Sequence, residues 1–345
     1  MFDVAVIGAG PSGAITAKKC AESGLKTVLV ERETLPRDKP CGGLLSPSVL
    51  KLVRGSFGKF PTDVVETPIE EMVLSLQSYE FKQHVAGVSV YRRVFDYWLT
   101  LEAEKAGSIL RKGSLTSLLQ KKDHVELKLQ KGDLREEMKA KYVVGADGVG
   151  SVVCSSLIPT LKRQLLQTYQ TYAVGEIPKN TAYLFFPIKE PKVTYFWLIP
   201  KKQVVVLGVG GLPHINLKKL MQIFFSKMKK EYSFKRILRT EAYPVPMFSP
   251  ENVALGKKRA LLVGDAASLA NPFTGEGIFS SLNSGKFASE AVIAHFDDPF
   301  QVLKAYKRKM KDLLTELNDA YTFYLQYRSL NDAQRQNILR TILST

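Results

Sequence analysis

Cysteine is scarce in this chain: Cys20, Cys41 and Cys154 are the only three in 345 residues. They have neither metal-ligand spacing nor an even count, which argues against a disulfide framework and suits a reducing compartment. Long apolar runs are also missing. No stretch reaches the roughly 18 uninterrupted apolar residues of a spanning helix. The apolar start of the chain reads as a strand and not as a leader, because a glycine turn follows at once. The expectation is a cytoplasmic protein, free or resting on the inner face of a membrane. Acids are outnumbered, with 33 Asp and Glu against 49 Lys and Arg, for a formal charge of +16. No nucleic-acid module accompanies that charge, so nucleic acid is not an expected partner. Internal repeats and low-complexity segments are absent. What remains is a globular composition, 45% hydrophobic, long enough for two intergrown domains.

The positive charge has two readings. One is a lysine-rich solvated surface. The other starts from its clustering between Asn216 and Arg239, where eight basic residues interleave with Leu217, Leu220, Phe224, Phe225 and Met228. A basic helix with an apolar face there would rest on anionic lipid.

The densest signal lies at the start. Phe2 to Ile7 reads as a strand and runs into Gly8-Ala9-Gly10-Pro11-Ser12-Gly13. Ala14 to Glu22 reads as a short helix, and Thr27 to Val30 as a second strand ending at Glu31. A phosphate-bearing dinucleotide needs this arrangement. Gly8 permits the turn, Gly10 lets pyrophosphate approach the backbone, and Gly13 lets helix and strand pack. The helix N-terminus then faces the phosphates. Glu31, eighteen residues beyond Gly13, occupies the usual place of the acid that binds a ribose hydroxyl.

A charged, Pro- and Gly-rich loop spans 32–46. Residues 64–91 alternate in places as antiparallel strands do, and Arg93 to Lys105 reads as a helix. Ser114 to Leu119, Val125 to Leu129 and Met138 to Val144 form a candidate meander. Tyr183 to Phe186, Tyr195 to Ile199 and Val204 to Val209 suggest a second antiparallel sheet. After the basic segment comes a buried strand, Ala260 to Val263, and beyond Gly277 the chain reads as helical. Two further motifs follow buried strands: Gly145-Ala146-Asp147-Gly148, and Gly264-Asp265-Ala266-Ala267 continuing to Gly275-Glu276-Gly277-Ile278. Each alone is compatible with an ordinary turn. Together with the first fingerprint they indicate one nucleotide domain assembled from separated stretches. Gly208-Val209-Gly210-Gly211 is not a second fingerprint, because Pro213 stands where the third glycine belongs and no acid follows a second strand.

These motifs, in this order, resemble the para-hydroxybenzoate hydroxylase superfold of FAD-dependent oxidoreductases. Lys39-Pro40-Cys41-Gly42-Gly43-Leu44-Leu45, Arg92 with Phe95-Asp96, and Tyr195-Phe196-Trp197-Leu198-Ile199-Pro200 narrow the resemblance to the geranylgeranyl reductase family, nearest its bacterial CbrA-like branch. The implied fold is α/β: a Rossmann-like FAD domain from 1–60, 91–155 and 255–297, an inserted mainly antiparallel substrate domain from 61–90 and 156–254, and a helical region at 298–345. The cofactor implied is FAD, held by Gly8, Gly10, Pro11, Ser12, Gly13, Glu31, Arg32, Cys41, Gly42, Arg92, Asp147, Gly264, Asp265, Gly275, Gly277 and Ile278. Arg92 would pair with phosphate oxygens, unless it is a surface arginine at a helix start. Cys41 is either a proton donor or positioner beside the flavin or a small side chain in a tight loop. Tyr195 and Trp197 share a strand face and would line a substrate tunnel or pack a core.

Two departures stand out. Cys154 replaces the arginine of the family's DGxxSxxR motif, and Pro191 is one residue too far from Tyr195 for the longer PxxYxWxFP pattern. The resemblance implies a reductase of carbon–carbon double bonds in an isoprenoid lipid or prenylated small molecule. An external donor, NAD(P)H or ferredoxin-like, would reduce the flavin. A flavin monooxygenase of the same superfold and a non-catalytic flavin-binding or redox-sensing protein at a membrane surface remain alternatives.

Overall fold

The computed structural model describes residues 1–344 except Ser78 and Pro191, with the backbone alone at 342–344. The expectation about Pro191 therefore lies outside the described residues. Val4, Ala5 and Val6 are fully buried, as are all five residues of Thr27–Glu31. Continuous apolar runs of this kind form parallel strands covered on both faces. Five strands pair in parallel in the order Ala260–Leu262, Leu134–Gly145, Phe2–Ile7, Thr27–Glu31 and Ile109–Lys112. The hairpin of Ser114–Gln120 and Val125–Lys131 joins antiparallel to the first half of Leu134–Gly145. Helices Pro11–Glu22, Arg92–Lys105 and Ile278–Ala294 cover one face of this sheet and pack against one another. Thr16 fastens two of them, its hydroxyl lying 3.1 Å from the Gly285 carbonyl.

The second sheet has eight strands: Ser233–Pro246, Leu165–Glu176, Val204–Gly211, Val193–Lys201, Thr181–Phe185, Thr67–Leu76, Tyr79–Ser89 and Leu44–Leu45. Its pairs are antiparallel except for Thr181–Phe185 with Thr67–Leu76. The chain thus combines a Rossmann-like parallel sheet, assembled from distant segments, with a mainly antiparallel sheet and a helical C-terminal region. The helices Pro299–Lys309, Lys311–Ser329 and Asp332–Ser344 supply that region. Among the described residues no helix is long and apolar enough to cross a membrane.

The basic segment corrects one expectation. Its helix is Leu217–Glu231, and from Ser233 the chain is a strand on the edge of the second sheet. Leu217, Met221, Phe224 and Met228 are buried against that sheet, with Leu220 and Phe225 packed beside them. The apolar face expected to meet lipid is already covered by protein. Lys218, Lys219, Lys227, Lys229 and Lys230 project outward as a solvated face. The strand Ser233–Pro246 escaped the sequence reading because basic and apolar residues, Lys235 to Arg239, stand exposed in a row without alternation. Basic side chains on an edge strand discourage pairing with another chain.

Candidate functional site

The carboxyl ends of the parallel strands meet where the three glycine motifs begin, the usual ligand position in such sheets. Gly8 has φ +105°, and a Cβ there would lie 2.3 Å from the Ala146 carbonyl oxygen. At Gly13 a Cβ would come within 1.8 Å of the Gly8 carbonyl. Both positions are closed to a side chain by backbone. Gly10 differs: its nearest neighbour would be Arg37 Nη2 at 3.9 Å, across open space.

That space is a cavity of about 460 Å³ lined by the first fingerprint, the 30–41 loop, Asp147, Asp265, and Gly275 to Ile278. Gly10, Pro11, Ser12, Glu31, Arg32, Cys41 and Arg92 all reach its wall, as does Gly8. Gly13, Gly42 and Gly264 lie behind it, closing the packing. Two helices point their N-termini at the same space, one capped by Gly10 and the other by Gly277. Neither has an acid within its first turn, although Glu276, just ahead of the second, accepts from Phe279 N at 2.9 Å. Their remaining N–H groups and positive dipole ends suit an anionic ligand.

A chain of ion pairs fixes one wall. Arg92 grips Asp96 through Nε at 2.7 Å and Nη2 at 2.9 Å. Arg37 reaches the same carboxylate at 3.2 Å and Glu31 Oε2 at 3.2 Å. Glu31 Oε2 also accepts from the Ala9 N–H at 2.9 Å, and Oε1 accepts from Glu33 N at 3.0 Å. Burial works against the Asp96 charge, but Arg92 and then Arg37 overcome it and hold its carboxyl below the ordinary range. Burial likewise opposes the Arg92 cation, and Asp96 together with Cys41 more than restores it. Arg92 is therefore an interior residue, not a surface arginine, and much of its donor capacity is committed to Asp96. The guanidinium facing Gly10 belongs to Arg37, which sequence reasoning missed. Its only signal was membership of a charged loop.

The two aspartates differ. Asp147 accepts from Ser151 Oγ at 2.6 Å and from the N–H groups of Val152 and Val153, capping helix Val152–Leu157. Its carboxyl is raised by burial, which these donors only partly offset. Asp265 pairs with Lys39 Nζ at 3.1 Å, and its carbonyl accepts from Arg163 at 3.4 Å. Cys154, standing in the family's arginine position, is buried. Arg163, nine residues on, acts electrostatically on that thiol, so a guanidinium reaches this corner from another place in the chain.

Cys41 is the half-buried thiol of the three, and its sulfur accepts from Gly43 N at 3.3 Å. Behind it stands Trp197. A Cβ on Gly42 would lie 3.5 Å from the indole nitrogen, and one on Gly208 would enter the ring at 2.1 Å. The second glycine run thus seats an indole. Trp197 Nε1 is buried with no hydrogen-bond partner. Tyr195 packs edge-on to Trp197 at 5.8 Å, and its hydroxyl donates to the Thr274 carbonyl beside Gly275. The shared face expected of these residues is present, and it ties the second sheet to both cofactor loops. Neither ring lines the large cavity.

Open space at Gly10 and two helix N-termini aimed at one cavity suit a flavin dinucleotide. Comparison with known proteins agrees. Residues 1–315 match the FAD binding domain family. The chain is 30% identical to digeranylgeranylglycerophospholipid reductase 1 of Methanopyrus kandleri, over 93% of this chain and 88% of that protein. It is 29% identical to the chloroplastic geranylgeranyl diphosphate reductase of Arabidopsis thaliana, over 84% of this chain and 65% of that longer protein. Among solved structures, a geranylgeranyl bacteriochlorophyll reductase-like protein of Thermoplasma acidophilum superposes with TM-score 0.88 at 20% identity. It covers 99% of this chain and 91% of that one.

Proposed function

Given that the chain belongs to the FAD-binding family and, within it, to the geranylgeranyl reductases, we propose that it reduces carbon–carbon double bonds of a prenyl chain on a lipid. It is an FAD-dependent oxidoreductase. When bound and reduced by an external donor such as NAD(P)H or a ferredoxin-like protein, FAD would supply the hydride for the alkene. The chain's own residues do the rest. The N–H groups of Gly10 and Ser12 and the Arg37 guanidinium would hold pyrophosphate, and Glu31, fixed by Ala9 N–H and Arg37, would hold the adenosine ribose. Asp265 and the helix end at Gly277–Ile278 hold the ribityl and ring portion, where the dipole favours negative charge. Cys41, a half-buried thiol on the cavity wall, would deliver a proton to the carbon next to the hydride acceptor. Tyr195 and Trp197 fix the loops around that point and exclude water.

The observation that carries this reading is the meeting of the cofactor cavity, the Cys41 turn and the Tyr195–Trp197 face at one corner. The test is anaerobic. Purified yellow protein, reduced with dithionite, is given a geranylgeranyl lipid, and its products are weighed. A gain of two hydrogens per bond is expected. An oxygen-dependent gain of one oxygen atom would replace this reading with a monooxygenase.

A further inference from the structure

Lys201 closes the strand Val193–Lys201, and only 1% of its surface is exposed. Its Nζ donates to the Val90 carbonyl at 2.7 Å and lies 5.6 Å from the centre of the Tyr91 ring. It also crowds the cysteine turn: a Cβ on Gly43 would fall 2.8 Å from Nζ. Among the described residues no carboxylate stands within ion-pair distance of it. Glu66, the acid whose field reaches it, is matched with Lys202 at 3.9 Å. A buried ammonium without a counter-ion is costly.

Cys41 provides the reason to place one there. Its sulfur accepts from Gly43 N, the residue that Nζ crowds, and it shares the cavity wall with Arg92, whose guanidinium is engaged by Asp96. The field of the thiol reaches the Lys201 amine. We propose that Lys201 is a positioning residue for Cys41, pinning the Cys41–Gly43 turn to the strand end and returning a proton to the sulfur after each turnover. This rests on the reading of Cys41 as proton donor. In the donor step the S–H bond breaks and a C–H bond forms on the alkene. In the return step the Nζ–H bond breaks and the S–H bond reforms, leaving a neutral amine that water recharges. Burial suits the amine to this exchange, because it brings Lys201 down to about 7 against the opposing pull of Cys41 and Glu66. Tyr91, also facing Nζ, is pushed upward by burial and stays neutral across this range.

The test does not need the alkene. Cys20 and Cys154 are buried, so iodoacetamide on the flavin-loaded native protein reads Cys41, with Cys41→Ser as blank. The wild-type rate plotted against pH should show a step near 7 as the neighbouring amine loses its charge. Lys201→Met should lack that step and react several-fold more slowly at pH 6, because the neighbouring positive charge is gone. Lys201→Arg, charged throughout, should lack the step while staying fast. Superimposable wild-type and Lys201→Met profiles overturn the proposal, as does a step that survives in Lys201→Arg. If either variant fails to fold, the wild type still decides, because a profile without a step near 7 rejects the amine as the titrating neighbour. Failure of alkene reduction alongside an intact step would reject the substrate reading and leave the Lys201–Cys41 coupling standing.

Discussion

Gly8–Gly13 follows a buried strand and Gly208–Gly211 is the end of one, yet they do opposite work. The first run leaves open space at Gly10, where a Cβ would meet nothing nearer than 3.9 Å. The second is filled, with the Trp197 ring in contact with Gly208 and Thr194 against Gly210. One makes room for a ligand and the other for a side chain of the same protein. The difference arises from the next element of the chain. After Gly13 a helix presents its N-terminus to the gap, whereas after Gly211 the chain turns away to a helix packed on the far side of the sheet.

The sharpest way to break this comparison is Gly10→Val. Its side chain would enter the pyrophosphate space, weakening FAD binding at least about a hundredfold while the apoprotein still unfolds cooperatively. A yellow protein with ordinary flavin absorbance would contradict the placement. Next in size is Asp96→Asn, which strands Arg92 and Arg37 in the wall and should cost about 3–5 kcal/mol in denaturant unfolding. Asp96 also makes a pH prediction. Its folded value lies below the ordinary 3.8, so its contribution is complete above about pH 4 and is lost as pH falls through the lower folded value. Asp96→Asn should flatten the acid limb of the stability curve, and an unchanged limb would deny the group its role.

Gly208→Val should cost about 1–3 kcal/mol by overpacking the indole and leave the flavin bound. Loss of flavin with full stability would reverse the assignment of the two runs. Smallest of all, joint replacement of Lys227, Lys229 and Lys230 by Glu should move the unfolding free energy by no more than about 0.5 kcal/mol. A larger loss would show that these side chains pack instead of facing water.

Much of the cofactor cradle was legible because its signals are local. Strand, turn, helix and strand lie within residues 2–31, and each glycine's purpose is set by its neighbours. Helix boundaries were slightly short: the first begins at Pro11, with proline at N1 where it costs no hydrogen bond. The strand Leu165–Glu176 was not read at all, and the first half of Ser233–Pro246, as far as Arg239, was read as part of the basic helix. Both depend on partners far away in the chain, and on the outer edge solubility outweighs hydrophobic alternation.

The order of motifs was therefore enough to establish from sequence an FAD-binding α/β enzyme of the reductase type, since turn geometry and helix dipoles act within a few residues. Tertiary structure alone decided which long side chains arrive at the site. Arg37 and not Arg92 faces Gly10, Arg163 comes to the corner where Cys154 stands, Lys39 neutralises Asp265, and Lys201 crowds Gly43 in the cysteine turn. These groups reach the site from separate loops and strand ends, on flexible stems several ångströms long. No local pattern records where such a charge will settle, because its position minimises a field created by the whole fold.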